Sequence, residues 1–157
     1  MKYEFFVDSD PKPQSRPRFT TYGGRYHAYE NDEITAWKQT VYAKANEVFQ
    51  KQGRIMLQGA LEARIIVYRR IPESWTGKKR SMAESGILYP IQRPDVDNYI
   101  KAVLDGIGLK NFPKIMFNDD SQIVSIYAIK KFASTIFPPG VYVSLAEWAD
   151  YRKECRG

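Results

Sequence analysis

Asp95, Asp97, Lys101 and Asp105 lie close together in a stretch whose apolar residues recur as they do in a helix. Val96, Ile100, Val103, Leu104 and Ile107 follow one another at three- and four-residue spacing, which makes one apolar stripe. Asp97, Lys101 and Asp105 then fall four apart on an adjoining polar face, one above another. Asp95 follows Pro94 and precedes Asn98 by three positions, so it reads as the N-cap, with a carboxylate that can turn toward Asp97. A helix N-terminus favours negative charge there. A second pair, Asp119 and Asp120, stands just before a β-branched run over residues 122–132 that reads as a strand. Carboxylates at a helix start and at a strand end are expected to form one acidic cluster. Hard divalent cations such as Mg²⁺ take oxygen ligands of this kind and complete their shell with water and substrate phosphate.

The bland alternative is a solvated helix face with an acidic first turn, its Asp97 and Lys101 forming a surface ion pair. An EF-hand needs an oxygen ligand and a glycine at its fifth and sixth positions, where this chain has Tyr99 and Ile100. Sugar-transferase D-x-D motifs end a buried apolar strand, whereas residues 91–94 are polar and interrupted by proline.

The elements that must position these groups read as a single domain over residues 1–157, with a charged tail from about 149. At 157 residues, 43% hydrophobic and 14% aromatic, the chain suffices for one core and is short for two. Residues 2–7 read as a strand. Beyond the turn at 8–11 no regular structure is predicted. Lys12, Arg16, Arg18 and Arg25 alternate there with prolines and with Phe19, Tyr22 and Tyr26, a basic segment whose rings can stack on unpaired bases. His27, the only histidine, is given no role.

From Asn31 or Asp32 to about Gln52 the pattern is helical, with Ile34, Trp37, Val41, Ala45 and Val48 on one stripe and Gly53 closing it. Residues 60–70 alternate as a strand. Residues 71–86 break the pattern and carry Lys78, Lys79 and Arg80 beside Trp75, with Ser74 as a candidate cap. A last strand is predicted over 141–145. The order describes an α+β domain with one mixed sheet and packed helices.

The net charge of +6 suits a polyanionic partner and equally an ordinary solubilising surface. Cys155, the single cysteine, allows no intramolecular disulfide and fits a reducing cytoplasm. Neither an apolar run long enough to span a membrane nor the apolar centre of a signal peptide is found, so a membrane role is not expected.

The run R-P-D-V-D-N-Y-I-K-A-V-L-D-G, followed by N-D-D-S-Q-I, resembles the signature of the RusA family of Holliday-junction resolvases, endodeoxyribonucleases often carried by phages and prophages. The proline- and arginine-rich residues 11–20 are similar to the family's N-terminal segment. The segment 107–117 between the motifs is longer than the family pattern. The resemblance implies an α+β homodimer acting on four-way DNA junctions in recombination and repair, with Mg²⁺ (Mn²⁺ substituting) and no small-molecule cofactor. It implies Asp95, Asp97 and Asp120 as catalytic metal ligands and Lys101 as the catalytic lysine, while Asp119, a further candidate ligand, and Asp105 match motif positions. Lys12, Arg16, Arg18, Lys78, Lys79, Arg80 and Arg93 form the expected DNA-contact set. Leu88, Tyr89 and Ile91, with residues 112–117, are candidates for a dimer interface. A flap or fork nuclease and a non-catalytic branched-DNA-binding module are the alternatives.

Overall fold

A computed structural model describes residues 1–16 and 18–148. The charged tail from 149, with Cys155, lies outside the described residues. The elements are β1 (Lys2–Val7), β2 (Arg18–Tyr22), β3 (Arg25–Tyr29), α1 (Asp32–Lys51), β4 (Leu61–Arg69), α2 (Gly77–Glu84), α3 (Val96–Ile107), β5 (Ile123–Phe132) and β6 (Gly140–Glu147). A four-stranded mixed sheet has the order β1-β6-β4-β5. β6 pairs antiparallel with both β1 and β4, while β4 and β5 run parallel. Parallel neighbours need a crossover, which α2, α3 and the long loop after α3 supply.

Alternation along the strands buries Tyr3, Phe5, Val7, Leu61, Ala63, Ile65, Val67, Val141, Val143 and Leu145 on one face of the sheet. α1 and α3 cover that face. α1 begins at Asn31, whose side chain accepts from the Glu33 N–H at 2.8 Å, and buries Ile34, Trp37, Val41 and Ala45 as the pattern predicted. α3 packs on α1 through Gly106, where an added Cβ would lie 2.8 Å from the Val41 Cβ.

The structure departs from the sequence expectations in four places. The segment expected to be irregular after β1 contains a second, two-stranded sheet, β2–β3, whose strands meet at Gly23-Gly24 with φ of +61° and +77°. A two-residue turn with both φ positive suits the twist of a hairpin. The buried face of α3 is Tyr99, Ala102, Val103, Gly106 and Ile107. Close approach of α1 at Gly106 rotates the helix and leaves Val96, Ile100 and Leu104 at the margin. The N-cap position of α2 is Thr76, two residues after the predicted Ser74, and its side chain makes no capping bond. In the 107–117 segment Ile115, Met116 and Phe117 are core residues. That removes those three as a dimer interface and leaves Phe112, Pro113 and Lys114 exposed; of the other candidates Tyr89 and Ile91 are exposed and Leu88 packs in a small cluster with Ile71, Ala83 and Phe132.

Candidate active site

The two acidic motifs lie at opposite ends of the sheet. α3 leads into β5 and runs back along it, so the start of the helix stands beside the end of the strand. Lys130 on β5 makes this visible: its Nζ donates to the Gln92 and Pro94 carbonyls at 3.1 and 2.9 Å, just ahead of Asp95. The 12 residues of α3 then span about 18 Å. At its far end Asp105 shares an open cleft of about 490 Å³ with Asp119 and Asp120. Among the described residues no three histidine, cysteine, aspartate or glutamate side chains converge as a metal site. The expected single cluster is therefore absent within one chain, because a helix that precedes a strand in a crossover starts where the strand finishes.

At the upper end, where β4 and β5 finish, the carboxylates make no hydrogen bond or ion pair among the described residues. Asp95 is the N-cap by position, with an extended backbone at ψ 151°, yet its side chain makes no capping bond. Asp97 is exposed on the first turn, and the alternative of an ion pair with Lys101 is not realised. Lys101 is exposed one turn further along. Lys130 is held below the ordinary lysine range by burial and by the charge of Arg69, against the opposing attraction of Asp95. Sequence reasoning passed over Lys130 and Arg69; alternation along β4 and β5 was the available signal, since a cation within a buried pattern needs a partner.

Basic side chains gather at the same end. Gln14 donates its N–H to the Asn98 carbonyl at 2.9 Å and fixes the N-terminal segment to the first turn of α3, two residues before exposed Arg16. Arg18 begins β2 and is exposed. Lys12 lines a shallow pocket with Arg69, Arg70 and Tyr99. Exposed Arg93 stands two residues ahead of Asp95. Lys78, Lys79 and Arg80 lie on α2, which packs through Ala83 on the end of β5 at Phe132. Lys79 sits 3.9 Å over the Trp75 ring and Arg80 pairs with Glu84 at 3.3 Å, so of the three only Lys78 is unengaged.

The lower end is built as a stapled turn. Asp119 Oδ1 accepts from the Ser121 N–H at 2.8 Å, and Gln122 Oε1 accepts from the N–H groups of Asn118 and Asp119. This reciprocal pattern is a capping box. The Gln122 amide also donates to the Gly59 carbonyl at 3.1 Å, tying the turn to the entry of β4. Hydrogen bonds from Ser121 hold the Asp119 carboxyl below its ordinary range. Asp120 is exposed beside it. Asp105 has a structural partner, the Lys38 ammonium at 3.6 Å, which is buried and also pairs with Glu30 at 2.5 Å.

The model of the endodeoxyribonuclease RusA family matches residues 8–146, nearly the whole described chain. The chain belongs to the RusA family, whose members are endodeoxyribonucleases of branched DNA. A relative of similar length, the uncharacterized protein YqaN of Bacillus subtilis (strain 168), is 33% identical over 146 residues, covering 92% of this chain and 95% of its own.

Proposed function

We propose that two copies of this chain form a metal-dependent resolvase of four-way DNA junctions. Each active site would combine Asp95 and Asp97 of one protomer with Asp120 of the other. The observation that carries this reading is the open edge between the two acidic motifs. β5 ends the sheet, and Val124, Ile126 and Tyr127 on it are 62%, 46% and 56% exposed. A bare, apolar edge strand of ordinary length is a template for pairing with another chain. Antiparallel pairing of β5 with itself about a twofold axis near the start of the strand would bring the turn that carries Asp120 toward the partner's Lys130 end. In each protomer Lys130 adjoins Asp95. The twofold makes both sites alike, as paired nicks in strands of like polarity require.

The donor chemistry fits a divalent cation, since Mg²⁺ is commonly held by one or two carboxylates with substrate phosphate oxygens. When bound, Mg²⁺, or Mn²⁺ in its place, supplies Lewis-acid polarisation of the scissile phosphate and acidifies the attacking water. Lys101, exposed one turn after Asp97 with no ion pair among the described residues, would stabilise negative charge on the phosphate in the transition state. Asp119, occupied as a cap, orients Asp120. Arg16, Arg18, Arg93 and Lys78, with Lys12, Lys79 and Arg80 at the margin, bind the DNA backbone. Such a substrate implies action in the cytoplasm, in recombination and repair.

Incubating the purified protein with a labelled four-way junction, with and without Mg²⁺, tests the proposal. Paired symmetric cuts that require metal are expected. Binding without cutting supports a binding module, and cutting restricted to flaps or forks supports the other nuclease reading.

A further inference from the structure

The β2–β3 ribbon buries almost nothing. Every residue of β2 is exposed, and Phe19, Tyr22 and Tyr26 are 68%, 81% and 83% exposed. An isolated two-stranded hairpin is marginally stable in water, and exposed rings make it less favourable still. The register separates its residues into two unlike faces. Phe19 pairs with Ala28 and Thr21 with Tyr26, so Phe19 and Tyr26 share an uncharged face. Arg18 pairs with Tyr29 and Tyr22 with Arg25, so the opposite face interleaves cations with rings. Phe19 and Tyr26 are diagonal neighbours, about 7 Å apart, roughly twice the 3.4 Å spacing of stacked bases. The foot of the ribbon is fixed at the start of α3: Gln14 reaches the Asn98 carbonyl at 2.9 Å and the Glu30 carboxylate at 3.1 Å.

From these features we infer that the β2–β3 ribbon is a branch sensor. Phe19 and Tyr26 would take one base unstacked at the branch point of the junction between them while Arg18 and Arg25 follow the phosphates on the other face. The inference rests on the junction reading above and adds to it the residues that distinguish branched from linear DNA. Charge complementarity selects nucleic acid as the occupant, and exposed flat rings on an uncharged face suit an unstacked base better than an intact duplex. Base-ring stacking tolerates any base, as a sensor of shape requires.

The test compares affinities for a four-way junction and for a linear duplex of equal length, with Ca²⁺ in place of Mg²⁺. If the wild type shows no junction preference, the junction reading fails, irrespective of the ribbon. With that preference established, Phe19→Ala combined with Tyr26→Ala is expected to lower junction affinity by about a hundredfold, roughly tenfold per lost stack, with duplex affinity little changed. The salt dependence of binding should keep its slope, because no phosphate contact is removed. Phe19→Tyr with Tyr26→Phe, which retains both rings, should keep the preference and reports on correct folding. Equal losses on junction and duplex, an unchanged junction preference, or conversion of a dimer to monomer by the alanine pair would each overturn the inference. The last result would mark the rings as a contact between protomers.

Discussion

The two ends of the sheet carry similar letters in different physical states. At the upper end Asp95 and Asp97 accept no hydrogen bond from the described residues, and the ammonium of Lys130 feels the charge of Asp95. At the lower end Asp119 is committed to a capping box and Gln122 staples the turn to β4. A carboxylate kept free of internal partners is available to a ligand, whereas one spent on backbone N–H groups holds a shape. The proposed function uses this difference, with binding at the first pair and Asp120 presented by the second.

The largest effect is expected when the two ends are separated genetically. Asp97→Asn and Asp120→Asn should each lower cleavage by more than about a hundredfold as homodimers. Co-expressed together, they should regain nicking, because mixed dimers contain one site with both wild-type aspartates. A mixture as inactive as its parents would show that each site is built from one chain. Within the lower pair, Asp119→Asn should cost only about tenfold, as expected of a residue acting through its neighbour; a loss equal to that of Asp120→Asn would erase the distinction.

The helix that joins the two ends can be disturbed directly. Gly106→Ala drives a methyl group into Val41 and should destabilise the fold by about 1–2 kcal/mol in urea titration, the overpacking exceeding alanine's better helix propensity. Unchanged stability would mean that α1 and α3 separate easily.

The smallest effect is expected in acid. Burial pushes the Glu30 carboxyl up, but hydrogen bonds from Lys38, Gln14 and Thr35 outweigh it and hold the pKa below the ordinary value. A lowered folded-state pKa means that the stabilisation is complete above the unfolded value of about 4.3 and is lost as pH falls through the folded one. Glu30→Gln should therefore show a shallower drop in melting temperature than the wild type between about pH 5 and pH 3. Parallel curves would remove Glu30 from the acid response.

Most of the strands and both long helices were legible, because alternation and the α1 stripe are local signals read against a single buried face. The β2–β3 hairpin was not read, although Gly23-Gly24 between two short β-rich runs carries a hairpin signal, because the prolines ahead of it point to irregular chain. The face of α3 was not, since Ile100 and Leu104 are as apolar as Val103 and only contact with Val41 at Gly106 decides the rotation. Nor did hydropathy separate surface from core in Ile115, Met116 and Phe117. The D-x-x-Q pattern at Asp119 and Gln122 was a readable capping box. The distance between the acidic motifs followed from chain direction, a property of topology that residue types do not carry.

The bare edge of β5 has a kinetic consequence. If the catalytic unit forms only when two such edges meet, its abundance grows with the square of chain concentration whenever free protomers predominate, and a tenfold dilution removes about ninety-nine parts in a hundred of the cutting. A cell holding few copies would then carry a nuclease that is disarmed by scarcity. Synthesis in quantity would be the arming step, with no inhibitor or modification needed to hold the activity back.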